Sequence, residues 1–282
     1  MTDMAPPSGP SGAAARPAPT AVTPSPQDAY PPDQIALLVE QVGVRKATLP
    51  VVQTVALGLL AGAFIAFGAM FFTLVMTGTQ LGFGPGRLLG GVAFSLGLVL
   101  VVVGGAELFT GNNLVVMAWA ARKITTAQLA RNWTLVYAAN LVGALGTALM
   151  VLWSGVLELG GGVAQTAIAI AQGKVALGFT EAFFRGILCN VLVCLAVWLC
   201  FAAHDVAGKV LAIILPISAF VALGFEHSVA NMYLIPIAML AGAESVTVAG
   251  FLANLVPVTL GNIVGGGVFV ALICWLIYLR GR

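Results

Sequence analysis

From Pro50 onward the chain alternates long apolar runs with short polar interruptions at Arg87, Arg122/Lys123, Glu158/Lys174, Asp205/Lys209 and Glu244. Six runs result, at about 51–76, 88–120, 133–157, 182–203, 210–240 and 248–279. A helix needs about 20 predominantly apolar residues to cross a bilayer, so each run predicts a membrane span. The second is too long, because the 33 residues from Leu88 to Ala120 would make a straight helix of about 50 Å. It also carries Glu107 in mid-run, and the fifth run carries Glu226 and His227. A break near the middle of each resolves both conflicts, since unwound backbone is tolerated at membrane depth only where it is buried in protein or lines a cavity. Run six is also long, but length alone is no reason to break it.

Ahead of the runs, a short amphipathic stretch from Gln34 to Ala47 predicts a helix at the membrane surface. Nine of the fourteen prolines precede residue 35, so residues 1–33 predict a disordered Pro/Ala-rich tail that cannot offset its ordering entropy by burial. The tail lacks a basic start followed by an apolar core, so it does not read as a cleavable signal. Residues 34–282 then form one six-span domain.

Composition sharpens this picture. With 60% hydrophobic and 8% charged residues and a mean hydropathy of +1.04, the chain is no ordinary soluble domain, where about a quarter of residues are charged. A net charge of +2 supplies no dense basic face, so no nucleic-acid partner is expected. The 34 glycines suit helices that associate in lipid by close backbone approach. Cys189, Cys194, Cys200 and Cys274 lie in apolar runs without metal or disulfide spacing, and are read as small core residues. Six crossings put both termini on one side. That side collects Arg45, Lys46, Arg122, Lys123, Arg131, Lys209, Arg280 and Arg282 against Arg87, Lys174 and Arg185 on the other, so the termini are expected in the cytoplasm.

The two interruptions match each other. GAELFTGNN from Gly105 and GFEHSVANM from Gly224 pair Gly105, Glu107 and Asn112 with Gly224, Glu226 and Asn231. The match continues in the next runs, where Asn132 and Asn140 have the separation of Asn254 and Asn262, and the offset moves only from 119 to 122. Repeats at about 50–157 and 180–279 hold three spans each, an odd number, so the copies face opposite ways. Inverted repeats with an interrupted helix in each half point to a transport site at their interface. The helix N-termini at such breaks favour an anion.

VGGAELFTGN (103–112), RGILCNVLVCLAVW (185–198), GFEHSVANM (224–232) and PVTLGNIVGGG (257–267) resemble the hallmark motifs of the formate/nitrite transporter family, over about Gln34 to Arg280. The resemblance implies an all-α membrane protein with aquaporin-like protomers in a homopentamer, set in the plasma (inner) membrane. Each protomer would pass small monovalent anions such as formate, nitrite, hydrosulfide, acetate or lactate, with no cofactor or metal. By motif, Leu108, Phe109 and Thr110 would sit on the loop interrupting span two, with the threonine meeting the anion. His227 resembles the family's central pore histidine. Phe94 and Leu98, with Phe220, match positions flanking an outer apolar constriction, and Val193 falls near an inner one. Lys174 corresponds to the lysine in the loop before span four, and Asn190, Asn231 and Asn262 to polar groups near the pore.

Intramembrane ionisable groups are costly and usually line a pathway, which favours the pore role for His227 over a satisfied core histidine. A neutral imidazole can donate a hydrogen bond, and modest shifts change its charge. Glu107 and Glu226 could carry protons, but their identical positions in both repeats favour a scaffold role, accepting backbone N–H groups freed by the breaks. Trp119, Trp133, Trp153 and Trp198 read as interface anchors or packing. A bare anion crossing two apolar constrictions pays a desolvation cost of about several kcal/mol. A proton supplied through His227 or connected water would let a neutral acid pass; the rival scheme is a bare anion stabilised by donors throughout. A neutral-solute pore would need paired Asn-Pro-Ala motifs, which are absent. An enzyme would need a metal set, serine elbow or nucleotide loop, none of which the sequence offers.

Overall fold

The computed structural model describes residues 1–2 and 29–281; most of the expected tail at 1–33 lies outside the described residues. Among those residues the chain is all-helical, with eleven α-helices and no strand. Five helical stretches are long and apolar enough to cross a membrane: Val51–Met76, Phe83–Gly104, Thr126–Trp153, Phe179–Ala202 and Val248–Tyr278.

The chain begins with α1 (Pro32–Thr48), α2 (Val51–Met76) and α3 (Phe83–Gly104). A break follows, then a 3₁₀ turn at Gly111–Val115 running into α4 (Val116–Ala120), and α5 (Thr126–Trp153). The second half has the same order: α6 (Val163–Val175), α7 (Phe179–Ala202), α8 (Val206–Ala222), a break, α9 (Ser228–Leu240) and α10 (Val248–Ile263). The last helix continues through a π-helical stretch, Val264–Leu272, into α11 (Ile273–Tyr278), so run six is indeed uninterrupted. Helix α6 corrects the expectation of a loop around Lys174, which occupies its last turn. Its sequence VAQTAIAIAQGKV carries four alanines, two glutamines and a lysine, all good helix formers, but at 13 residues it is too short to register as a span.

Each break opens at a glycine that follows the end of a helix. Gly105 and Gly224 adopt φ of 80° and 73°, where a Cβ would be strained. The N–H groups of Ala106 and Phe225 reach back to the carbonyls of Val101 and Phe220 at 2.9 and 3.0 Å, closing each helix end in a Schellman-type turn. Caps set the restarts. His227 Nδ1 accepts from the N–H of Ala230 at the start of α9, Thr125 and Gln128 form a capping box on α5, and Asp205 and Thr247 cap α8 and α10.

Small residues let the long helices touch. A methyl added at Gly62 or Gly143 would stand 2.1 Å from the carbonyl oxygen of Asn140 or Leu59, so α2 and α5 meet backbone to backbone. Gly261 and Gly265 do the same in the second half, 2.2 Å from the carbonyl oxygens of Phe183 and Ile187 on α7. Large apolar side chains such as Leu60, Phe67, Phe71 and Leu74 face outward from α2, while Ala61, Ala66 and Ala69 are buried. This arrangement suits a protein whose surroundings are as apolar as its core. Helix α1 packs against the 3₁₀ turn and α4, and α6 against α9; each thereby supports the segment that follows a break.

Gly143→Ala should destabilise the detergent-solubilised protein by about 1–3 kcal/mol through overpacking, read as a lower thermal unfolding midpoint. Gly146→Ala is the matched control, because nothing lies within 4 Å of its added methyl. Equal midpoints for the two variants would refute the close α2–α5 contact.

Candidate functional site

The breaks expose backbone groups inside the protein, and one asparagine closes each. At the first, Asn140 Oδ1 accepts from the N–H of Phe109 at 2.9 Å, while its Nδ2 donates to the carbonyls of Gly58 and Glu107 at 2.8 and 2.9 Å. At the second, Asn262 Oδ1 accepts from the N–H of Ser228 at 2.9 Å, and its Nδ2 donates to Gly186 and Glu226 at 2.8 and 3.0 Å. The N–H groups of Glu107 and Glu226 bond the carbonyls of Leu57 and Arg185, both at 3.2 Å.

Contrary to the expectation from the sequence, the carboxylates of Glu107 and Glu226 accept none of the freed backbone N–H groups. They take side-chain donors instead. Lys46 Nζ donates to Glu107 Oε1 at 2.6 Å and to Asn112 Oδ1 at 3.0 Å. Asn112 Nδ2 donates to Glu107 Oε2 at 2.7 Å and to Asn132 Oδ1 at 3.1 Å, and Asn132 Nδ2 closes the ring on the carbonyl of Lys46 at 3.1 Å. In the other half Lys174 Nζ donates to Glu226 Oε1 at 2.8 Å, and Asn231 Nδ2 donates to Glu226 Oε2 and Asn254 Oδ1, both at 2.7 Å. Asn254 Nδ2 again returns to the lysine carbonyl, at 2.9 Å. Such pairing is what makes a buried carboxylate tolerable.

Lys46, counted in the sequence only as a flanking charge, is thus the partner of Lys174. A signal was present: each lysine is followed, twelve residues on, by a glycine, Gly58 or Gly186, that serves the neighbouring break. Trp133, taken as an anchor or packing residue, donates its Nε1–H to the carbonyl of Asn112 at 3.0 Å.

Between the breaks, Thr110 Oγ1 and His227 Nε2 lie 2.9 Å apart. Because His227 Nδ1 accepts from Ala230 N–H at 3.0 Å, that nitrogen carries no proton, and the ring is the neutral tautomer with Nε2–H as donor. The ring stacks on Phe220 at 5.9 Å, and Phe220 meets Phe94 edge to face at 5.6 Å. Asn190 ties the threonine loop to its neighbours, donating from Nδ2 to the carbonyls of Thr110 and Asn262 and to Asn113 Oδ1. Its Oδ1 is buried without a partner.

Two cavities flank this centre. The first, of about 290 Å³, is lined by Lys46, Leu98, Glu107, Leu108, Gly111 and Lys209, among others. The second, of about 600 Å³, is lined by Arg87, Phe94, Lys174, Phe220, Glu226 and His227, among others. Leu98 therefore does not join Phe94 and Phe220: it lies one turn further along α3 and opens onto the first cavity. Val193 lines neither cavity and is buried with Leu108 and Phe109 in the central apolar cluster. Neither Asn231 nor Asn262 lines a cavity: the Asn262 amide and Asn231 Nδ2 are taken up by the bonds just described, while Asn231 Oδ1 is buried without a partner. No group of three or more metal-ligating side chains occurs among the described residues.

The profile of the formate/nitrite transporter family matches residues 33–276. The formate channel FocA of Escherichia coli (strain K12) is 42% identical over 276 residues, 91% of this chain and 97% of that protein. The uncharacterized transporter YrhG of Bacillus subtilis (strain 168) is 46% identical over 250 residues, 88% and 93% of the two chains. A solved structure described as a pentameric formate channel with formate bound superposes with a TM-score of 0.74 at 40% identity, covering 82% of this chain and 98% of that one.

Lys46→Met would leave Glu107, 4% exposed, as a buried unpaired charge, at a cost of about 3–5 kcal/mol. The double variant Lys46→Met/Glu107→Gln should recover much of that loss, because it removes the stranded charge and keeps an acceptor for Asn112. Thermal unfolding of the two variants checks this, and a double variant no more stable than the single one would contradict it.

Proposed function

This chain belongs to the formate/nitrite transporter family, and on that premise we propose that it is a pentameric plasma-membrane channel whose protomers each pass small monovalent anions of weak acids, formate foremost. Relatives named as a formate channel and as a probable formate transporter support this choice of anion, and a pentameric formate channel among the similar structures supports the assembly. In this reading each protomer crosses the membrane six times as two inverted three-span repeats, aquaporin-like in plan. The same side-chain bonds recurring in both halves support the duplication. Both termini are then cytoplasmic, the first cavity is the inner vestibule and the second the outer one.

The observation that carries the proposal is the neutral His227, whose Nε2–H points at Thr110 between two cation-lined cavities. An anion is drawn toward Lys46 or Lys174, then meets an apolar layer, Leu108 on one side and the Phe94–Phe220 pair on the other. There Nε2–H and the Thr110 hydroxyl offer it hydrogen bonds. Since Nδ1 is held by the α9 N–H, the imidazole serves as a hydrogen-bond donor, and the proton that neutralises the anion is delivered from bulk hydronium along connected water, so that no hydroxide is left behind. Glu107 and Glu226 act as scaffold, holding the lysines and the breaks. Asn190 positions the Thr110 loop, and Asn231 and Asn262 shape the second break.

Formate flux into proteoliposomes, measured against pH at fixed total formate, tests this. Transport should rise as pH falls, because protonation removes the charge. His227→Ala should lower flux by about ten- to a hundredfold, the worth of one hydrogen bond to a charged group. Unchanged flux with an unchanged pH profile in that variant would defeat the histidine assignment. Parallel measurements with nitrite, hydrosulfide, acetate and lactate rank the alternatives.

A further inference from the structure

Helix α8 ends at the second cavity, and a helix C-terminus carries partial negative charge, roughly half an elementary charge, on its unpaired carbonyls. In an anion pathway such an end would repel the traffic. Here two guanidiniums converge on it. Arg87 Nε and Nη2, from the start of α3, donate to the carbonyls of Ala222 and Val221 at 3.2 and 2.7 Å. Arg185 Nη1, from α7, donates to the carbonyl of Gly224 at 3.2 Å. They close around the left-handed glycine of the break, whose added methyl would lie 3.2 Å from Arg87 Nη2 and 3.6 Å from Arg185 Nη1.

The charges around this end do not cancel. Lys174 is matched by Glu226 at 2.8 Å, and Arg185 Nη2 by Glu181 at 2.5 Å. Arg87 has no carboxylate partner among the ion pairs of the described residues. Two full positive charges against the partial charge of the helix end, with one acid on Arg185, leave the local sign positive. Both arginines line the 600 Å³ cavity together with Lys174 and His227.

From this geometry we infer that Arg87 and Arg185 form an outer anion subsite. It holds a small carboxylate or comparable monovalent oxyanion at the end of α8 before the anion moves on to Lys174 and His227. The guanidiniums do two things at once: they neutralise the helix end, and Arg87 supplies the surplus charge that collects the anion. Such planar forks suit carboxylate oxygens. Among the described residues no guanidinium is bonded to the half-helix end in the first cavity, at Gly105; Arg45 and Lys209 line the same cavity without a side-chain bond to that end. The inference rests on the anion-channel reading above.

The test is formate uptake kinetics in proteoliposomes, with external formate as the probe, for Arg87→Gln, Arg185→Gln and Arg87→Lys. At low ionic strength the two glutamine variants should raise KM about three- to tenfold, with maximal flux little changed. That difference should collapse at about 0.5 M of an impermeant salt, where charges are screened within a few ångströms. Arg87→Lys keeps the charge but loses the fork that grips Val221 and Ala222, so its KM should fall between those of the parent protein and Arg87→Gln. An unchanged KM, or a loss of maximal flux alone that is indifferent to salt, would mean that the arginines only splint the end of α8, and would overturn the proposal. Should the glutamine variants fail to assemble as the parent does, the ionic-strength series on the intact protein decides: KM that does not rise with salt overturns the subsite. Absence of formate flux in the intact protein would undo the channel reading itself, a distinct outcome.

Discussion

Two asparagine amides, Asn140 and Asn262, hold the architecture open where helices would otherwise run straight through. In an apolar surrounding each unpaired backbone group costs several kcal/mol, about the price of losing a hydrogen bond with nowhere else to go. An interrupted helix leaves such groups on both strands of the break. Each amide supplies one acceptor and two donors to three different backbone groups, a task no hydroxyl or carboxylate performs alone. The Lys–Glu–Asn rings beside them then anchor the lateral helices α1 and α6 to the same breaks.

The close glycine contacts make this bonding reachable. Gly58 and Gly186 present their carbonyls to Asn140 and Asn262, and α2–α5 and α7–α10 approach to backbone contact through neighbouring glycines. A larger residue at Gly62 or Gly261 would push the asparagine-bearing helix away from its break. Packing and polar satisfaction are therefore one requirement, met twice, and the glycine-rich composition follows from it.

The proposed pathway runs where the two halves differ. Leu108 and His227 occupy corresponding positions after the paired glutamates, yet one is apolar and the other bonds Thr110 across the centre. Asn190 holds the threonine loop from α7, and its counterpart in the first half is Gly62, which offers no side chain. Arg185 likewise corresponds to Leu57. A symmetric scaffold thus carries an asymmetric lining, with the histidine and the aromatic pair on one side of the centre and Leu98 and Leu108 on the other.

Apolar run length, the two buried glutamates and the recurring Gly-x-Glu…Asn spacing determined the all-helical membrane class, the sites of both breaks and the pairing of the halves. Those features are local or periodic, and hydrophobic thickness and backbone satisfaction act on them directly. Tertiary structure alone decided which donors each carboxylate receives, that Lys46 mirrors Lys174, that Leu98 opens onto a different cavity from Phe94, and that Arg87 and Arg185 meet at the end of α8. Each of these joins residues far apart in the chain, and side-chain reach across packed helices, not spacing along one of them, sets which groups come within bonding distance.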